Sequence, residues 1–427
     1  MRILIKNANL ISMDEKKEKY LENMDILIEN TIIKKIGKNI DIQGNDIKVI
    51  NATKMQVMPG LINTHAHLPM SIFKETLDGY GLQEWLEEKI WPMEDKLTNE
   101  DIYYATYLSC IEMIKTGCTT INDMYFMTDD IIRAVVETGV RMQTTRTLMS
   151  GGSDATTRLK ELSKLVNDYK NNELVTFNAG IHGLYTTMEE DTKEFINFAK
   201  KNNLPVHMHF CENSKEVEDI KKAYNVDSPV EVLEKYFTGI PVLLAHAVKL
   251  TENEIEKLGE LKNISISHCP VSNLKLGCGV AKIKKMLQEK INVSLGTDGQ
   301  GSGSNLDMFE TMKFTALLQK GINENPKDLP AYEVMKMATI NGAKALGLED
   351  KIGSIEEGKK ADIIILNMEK ELMQPINDVF ADIVYNAKGS DVETTIVNGN
   401  ILMENRKICC KEQEIYNKCE KIIRRIN

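Results

Sequence analysis

The sequence predicts an α/β protein: a TIM-type (β/α)8 barrel carrying a small β-sandwich built from the two ends of the chain. Three observations predict it. Between about Pro59 and Gly353, eight short apolar segments alternate with helix-like segments, as β/α units around a parallel sheet do. Both ends of the chain read instead as short strands. All seven histidines fall on predicted strands, mostly at carboxyl ends, the face on which such a barrel builds its active site.

The amino-terminal strands are "ILIKNANLI", "MDILIENTII" and "VINATKMQVM", and residues 1–57 are assigned to the first part of the sandwich. The barrel is assigned to residues 58–352. Its strand candidates are "VMPGLINTHAH", "GCTTINDM", "VRMQTTRTL", "VTFNAGIHG", "PVHMHFCE", "VLLAHAV", "ISISHCP" and "NVSLGTDG". Most are β-branched or apolar throughout, as strands covered on both faces are. Helix signals fill the gaps. "TNEDIYYATYLSCIEMIKTG" opens with Thr98 three residues before Asp101, a capping-box spacing, and closes on Gly117. "NLDMFETMKFTALLQKG" is expected to close on Gly321. Residues 353–427 return to strands, "ADIIILN" and "TTIVNGNILM", and end in a helix; they form the second part of the sandwich.

Bulk properties narrow the function. The 427 residues carry 42% apolar and 27% charged side chains, ordinary for a globular protein with a large core. A net charge of −10 argues against a nucleic-acid partner, because no basic excess exists to neutralise phosphates. No run reaches the roughly 20 apolar residues of a membrane helix, and the first residues lack a signal peptide's apolar core. A cytoplasmic protein is expected. The eight cysteines contain no C-x-x-C pair, which removes zinc ribbons and the cysteine-ligated deaminases. The adjacent Cys409 and Cys410 are expected to be free thiols without an assigned role.

In "NTHAH", His65 and His67 are one residue apart on a strand, so both rings project from one face. Two imidazoles so close repel when protonated but can share a metal ion when neutral. His207 and His209 repeat the spacing on strand five. His182, His246 and His268 end strands four, six and seven, and Asp298 ends strand eight in "GTDG". Three or four nitrogen and oxygen ligands with one position left for water describe a catalytic zinc site. His65, His67, His209 and Asp298 are the natural set, and Glu212 stands three residues past His209 to work beside the metal. His207 reads as a core histidine bonded within the barrel. His268 reads equally as support for a ligand or as strand-end packing.

The run Pro59–His67, "HFCE", "LAH" at Ala245–His246, "SNLKLG" at Ser272–Gly277 and "LGTDG" together resemble the amidohydrolase superfamily. More narrowly, "EWLEEKIWPMED" at Glu84–Asp95 and "NDMYF" at Asn122–Phe126 resemble the S-adenosylhomocysteine/5'-methylthioadenosine/5'-deoxyadenosine deaminases. The likeness extends to the closing "GSIEEGKKADIIIL". It implies one Zn²⁺ per chain on His65, His67, His209 and Asp298. It implies Glu94 and His182 at the ribose, Trp85 as a wall for the adenosine, and Glu212 facing the purine. His246 would sit beside the attacking water. Arg146 and Arg158, with Ser302, would meet the amino-acid end of S-adenosylhomocysteine. The partner is a small nucleoside, and a homo-oligomer is expected.

Three departures are notable. Strand four, "NAGIHG", lacks the lysine that binuclear relatives carbamylate, so one metal is expected. Cys269 stands where relatives often have asparagine, and "LGCGVAKI" departs from the commoner Ser-Gly-Ile-Ala-Pro. Other readings are a guanine deaminase, a triazine-type aminohydrolase, a cyclic-amide hydrolase, or a metal-free scaffold on the same fold. Glu94, Arg146 and His182 together favour a ribose with a long 5' substituent, and the complete ligand set disfavours the scaffold.

Overall fold

A computed structural model describes residues 2–42, 44, 46–75, 78–150, 155–408 and 410–426. Cys409 lies outside the described residues; Cys410 is half-buried.

Eight parallel strand positions form the barrel: β1 (Leu61–Ala66), β2 (Cys118–Asp123), β3 (Arg141–Thr144), β4 (Ala179–Gly183, preceded by Val175–Phe177), β5 (Val206–Phe210), β6 (Val242–His246), β7 (Ile264–His268) and β8 (Asn292–Leu295). β1 pairs with β2, β2 with β3, and β3 with Val175–Phe177, all in parallel. β4 to β8 pair in sequence in the same sense. A parallel bridge from Leu148 to Ile181 joins the two arcs. The Asp298 amide donates to the His65 carbonyl at 2.9 Å and brings the end of β8 back to β1. The strands are buried almost throughout, as their apolar composition requires.

The first strand candidate is two strands in two sheets. Gln56–Pro59 belongs to the terminal sheet, and the barrel strand begins at Leu61. The chain changes sheets at Gly60, where a Cβ would sit 2.1 Å from the Thr119 hydroxyl oxygen; only glycine allows that approach. Among the described residues the terminal sheet has nine strands. Arg2–Leu10 lies at its middle, and Ile363–Leu366 pairs antiparallel with Gln56–Pro59, so both chain ends share one sheet. Successive side chains serve two layers. Ile363 and Ile365 join Ile3, Ile5 and Ile26 in the sheet's own core, while Ile364 and Leu366 pack with the barrel core.

The helix Asn99–Thr116 has the expected Thr98–Asp101 capping box and ends on Gly117 at φ +76°. The helix Met308–Ile322 runs past Gly321, because the Asn323 amide still donates to the Gln319 carbonyl. The carboxyl-terminal helix Glu412–Ile426 buries Ile415, Cys419, Ile422 and Ile426, and the Cys419 thiol reaches the Tyr104 carbonyl on Asn99–Thr116. Among the described residues no helix is long and apolar enough to cross a membrane.

Candidate active site

The carboxyl ends of β1, β5, β6 and β8 bring His65, His67, His209, His246 and Asp298 together. The backbone leaves the extended region where these strands end. His246 has φ +72°, Ala247 +51°, Cys211 +52° and Asp298 +64°. Such positions are costly for non-glycine residues and concentrate at functional sites.

The expected shared face of the H-x-H pair is present: the His65 and His67 rings lie 4.9 Å apart, edge to face. Their outer nitrogens are committed. His67 donates its Nδ1–H to the Met124 carbonyl at 2.6 Å, and His209 donates its own to the His182 carbonyl at 2.5 Å. In the neutral rings the two Nε2 atoms therefore both carry lone pairs, and they face each other across 3.3 Å. Asp298 Oδ1 lies 3.1 Å from His67 Nε2 and 3.4 Å from His65 Nε2. Neighbouring ligands of a tetrahedral ion bound at about 2.1 Å stand about 3.4 Å apart, so this donor set fits a metal cation. Ligand atoms of His65, His209, His246 and Asp298 also lie within 4.8 Å of one another. The Nε2 atoms of His65 and His246 are buried with no hydrogen-bond partner among the described residues.

The electrostatics agree. Burial pushes His65 down to about 3 and holds His209 well below the ordinary histidine range. Burial also opposes a charge on His67, but the hydrogen bond and charge of Asp298 outweigh it and raise that ring to about 9. Asp298 thus demands a positive charge beside it, which a cation among these donors supplies.

Partners hold the cluster from outside. Asp298 Oδ2 accepts hydroxyls from Ser272 at 2.6 Å and Ser302 at 2.7 Å, leaving Oδ1 toward the histidines. His65 Nδ1 meets His207 Nε2 at 3.0 Å, and His207 Nδ1 meets the Asn122 amide at 3.0 Å. His207 is a core histidine, as expected, and it also orients His65. His268 is fully buried, with neither ring nitrogen partnered among the described residues.

One pocket opens over the cluster, lined by His67, His209, His246 and Asp298 together with Glu212, Glu94, Trp85, His182 and Ser302. Burial raises the Glu212 carboxyl above its ordinary range. Glu94 and Trp85 come from one helical stretch, Leu82–Glu94, which carries a wider π turn at Leu86–Ile90. Tyr125 donates its hydroxyl to Glu94, and burial pushes that carboxyl up to about 7. His182 holds Thr186 at 2.9 Å, and burial lowers it to about 4. Arg146 and Arg158 do not line this pocket wall. They converge on Glu161 Oε2, at 2.7 and 3.3 Å. Arg146 NH1 and Arg158 Nε are buried without a partner among the described residues.

Sequence reasoning assigned no role to Trp91 or Tyr125, which also line the pocket, although both lie inside the quoted "WPMED" and "NDMYF". Tyr185 and Leu276 line it too, and no sequence signal marked them.

A parallel barrel with a buried histidine–aspartate cluster at its carboxyl face defines the class of metal-dependent hydrolases. The chain belongs to the Amidohydrolase family, whose profile matches residues 56–402. It is 40% identical over 428 residues to a 5-methylthioadenosine/S-adenosylhomocysteine deaminase of Caldanaerobacter subterraneus subsp. tengcongensis, covering 99% of this chain and 98% of that protein. It is 41% identical over 408 residues to a 5'-deoxyadenosine deaminase of Methanocaldococcus jannaschii, covering 94% and 96%. Among solved structures it resembles an adenosine deaminase from Xanthomonas campestris with bound zinc, with a TM-score of 0.94, 26% identity and coverage of 99% and 98%. It also resembles the atrazine chlorohydrolase of Arthrobacter aurescens complexed with zinc, with a TM-score of 0.92, 25% identity and coverage of 99% and 100%. The chain is a metal-dependent aminohydrolase.

Proposed function

We propose that the protein hydrolyses the 6-amino group of adenosines altered at the 5' position. The substrates are 5'-methylthioadenosine, S-adenosylhomocysteine and 5'-deoxyadenosine, and the products are the inosine analogues and ammonia. His65, His67, His209 and Asp298 would hold one Zn²⁺ per chain. When bound there it supplies the Lewis acidity that lets water ionise near neutral pH. The chain's own groups do the rest. His246 spends its Nδ1–H on Asn273 and so presents Nε2 to orient the attacking water. Asp298 takes the water's proton and returns it to the departing amine. Glu212, whose proton burial holds above the ordinary carboxylate range, donates to N1 of the purine as C6 is attacked, which removes negative charge from the ring, and takes back the C6 hydroxyl proton as ammonia leaves.

Glu94 and His182 hold the ribose, and Trp85 and Ser302 flank the nucleoside. Arg146 and Arg158 take the carboxylate of the S-adenosylhomocysteine tail. The enzyme is cytoplasmic and self-associating. Exposed Phe314 and Leu317 on Met308–Ile322 suit a subunit contact. The domain division is a barrel that begins at Leu61, three residues past the expected start at 58, and runs to about 352, with flanking parts before it and at 353–427.

The observation that carries this reading is the single pocket on whose wall the His–Asp cluster, Glu212 and Glu94 meet. The names of the relatives at about 40% identity support it. The test is ammonia release from the three adenosine derivatives, adenosine, guanine and an amino-triazine. The 5'-altered adenosines should be turned over best, and turnover of guanine or the triazine alone would replace this reading.

A further inference from the structure

The motif "SNLKLG" marks the family likeness, and two of its residues, Ser272 and Asn273, already touch the groups assigned above. In the structure it begins the turn after β7: the short helix Pro270–Lys275, then Leu276, Gly277 at φ +69° and Cys278. Within seven residues this turn touches three of the groups just assigned to the reaction. Ser272 donates its hydroxyl to Asp298 Oδ2 at 2.6 Å. His246 donates its Nδ1–H to Asn273 Oδ1 at 2.8 Å. The Cys278 thiol lies 3.8 Å from Glu212 Oε1.

We infer that Ser272–Cys278 is a positioning strap for the catalytic groups, and that Asn273 is its decisive residue, fixing the tautomer of His246. The inference rests on the roles proposed above for His246 and Glu212. The strap is rigid by its own bonds. The Cys278 amide donates to the Asn273 carbonyl at 2.8 Å, the Leu276 amide to Ser272 at 2.9 Å, and the Asn273 amide to Cys269 at 3.0 Å. Ser272, Asn273 and Cys278 are all buried. Backbone pleat does not aim the His246 ring, because His246 and Ala247 both sit at positive φ; a side-chain contact must do so. Glu212 Oε1, at 3.7 Å from Nδ1, is too far to replace Asn273. With the proton held at Nδ1, Nε2 is left as a lone pair among His65, His209 and Asp298. Cys278, at the other end of the strap, steadies the Glu212 carboxyl with a weak sulfur donor.

Four full-chain, zinc-loaded variants test this, Cys278→Ala being the one that removes the thiol. Asn273→Leu removes the acceptor, Asn273→Asp keeps it, and Cys278→Ser keeps a donor to Glu212. With 5'-methylthioadenosine, Asn273→Leu should lower kcat by about 100-fold, the scale of lost acid–base orientation. KM should stay within about 3-fold, as expected for a contact that matters only in the transition state. Zinc content should be unchanged. Asn273→Asp should recover kcat to within about 10-fold of wild type, and Cys278→Ser should be nearly normal where Cys278→Ala is impaired.

Histidine-selective 15N NMR of the wild-type protein reads the tautomer directly, with His246→Asn assigning the signal among seven histidines. A proton on Nε2 of His246 in the wild type overturns the inference, whether or not any variant folds. So does an Asn273→Asp enzyme as damaged as Asn273→Leu, since the amide would then be a donor. If the wild type turns over no adenosine at all, the proposed function fails while the NMR result still decides the strap.

Discussion

Arg141 on β3 and Asp362, just ahead of the strand Ile363–Leu366, form a buried two-bonded ion pair between barrel and terminal sheet. Nε meets Oδ2 at 2.7 Å and NH2 meets Oδ1 at 3.0 Å. The remaining groups are satisfied as well: Arg141 NH1 donates to the Glu173 carbonyl at 2.7 Å, and Asp362 Oδ1 accepts the Asn398 amide at 2.7 Å. Side-chain exposures of 5% and 2% leave no water to replace either partner.

Removing one member of this pair strands the other. Asp362→Asn should lower unfolding stability by about 3–5 kcal/mol, because an unpaired guanidinium stays buried. Urea unfolding measures it, and kcat below the transition should be unchanged. A loss under about 1 kcal/mol would mean that water or a rearranged side chain reaches Arg141.

The Nε2 atoms of His67 and His209, 3.3 Å apart beside the Asp298 carboxylate, predict the metal. Elemental analysis should find one zinc per chain, and chelation should abolish deamination until zinc is returned. His209→Gln should lose the metal and lower activity by more than about two orders of magnitude. His207→Phe leaves every ligand in place but removes the partner of His65 Nδ1, so zinc affinity should fall about 10- to 100-fold. Two zinc ions per chain, or activity that survives chelation, would refute the single site.

The Glu94 carboxyl, raised by burial from 4.5 to about 7, predicts a pH dependence of ribose recognition. The proton stays on up to about pH 7, and above it the carboxylate can accept hydroxyl hydrogens. The ratio of kcat/KM for a ribonucleoside over its 2',3'-dideoxy analogue should therefore rise with pH through about 7. Taking the ratio cancels groups that act on both substrates. In Glu94→Gln the ratio should be small and flat. A pH-dependent ratio that persists in this variant would assign the titration elsewhere.

Arg146 and Arg158 meet on one carboxylate, Glu161, and each keeps a buried N–H without a partner among the described residues. Arg146→Met should lower kcat/KM for S-adenosylhomocysteine by about 10- to 100-fold, the loss of one shielded charge-assisted contact of about 1.5–3 kcal/mol. 5'-Methylthioadenosine has no carboxylate and should lose little. Arg158→Met should discriminate in the same direction. Equal losses on both substrates would show that the arginines hold the fold or the nucleoside.

By itself, the sequence determined the barrel and which histidines and aspartate gather at its mouth. Both are carried by local period. Buried parallel strands announce themselves as apolar runs, and a period of two places His65 with His67 on one face. Ending such strands, His209, His246 and Asp298 had to converge, because parallel strands in a closed barrel present all their carboxyl ends on one side. Tertiary structure alone decided what holds those residues. His246 meets Asn273 27 positions away, and Glu212 meets Cys278 66 positions away. His65 meets His207 142 positions away. The change of sheet at Gly60 depended on Thr119 from another strand. The pairing of Tyr125 with Glu94, like the meeting of Arg146 with Glu161 on the helix Ala155–Asp168, likewise followed from where separate segments come to rest. Periodicity encodes which way a side chain faces within its own strand or helix. It carries no record of the neighbour that folding brings within 3 Å, since that neighbour is set by the packing of the whole barrel.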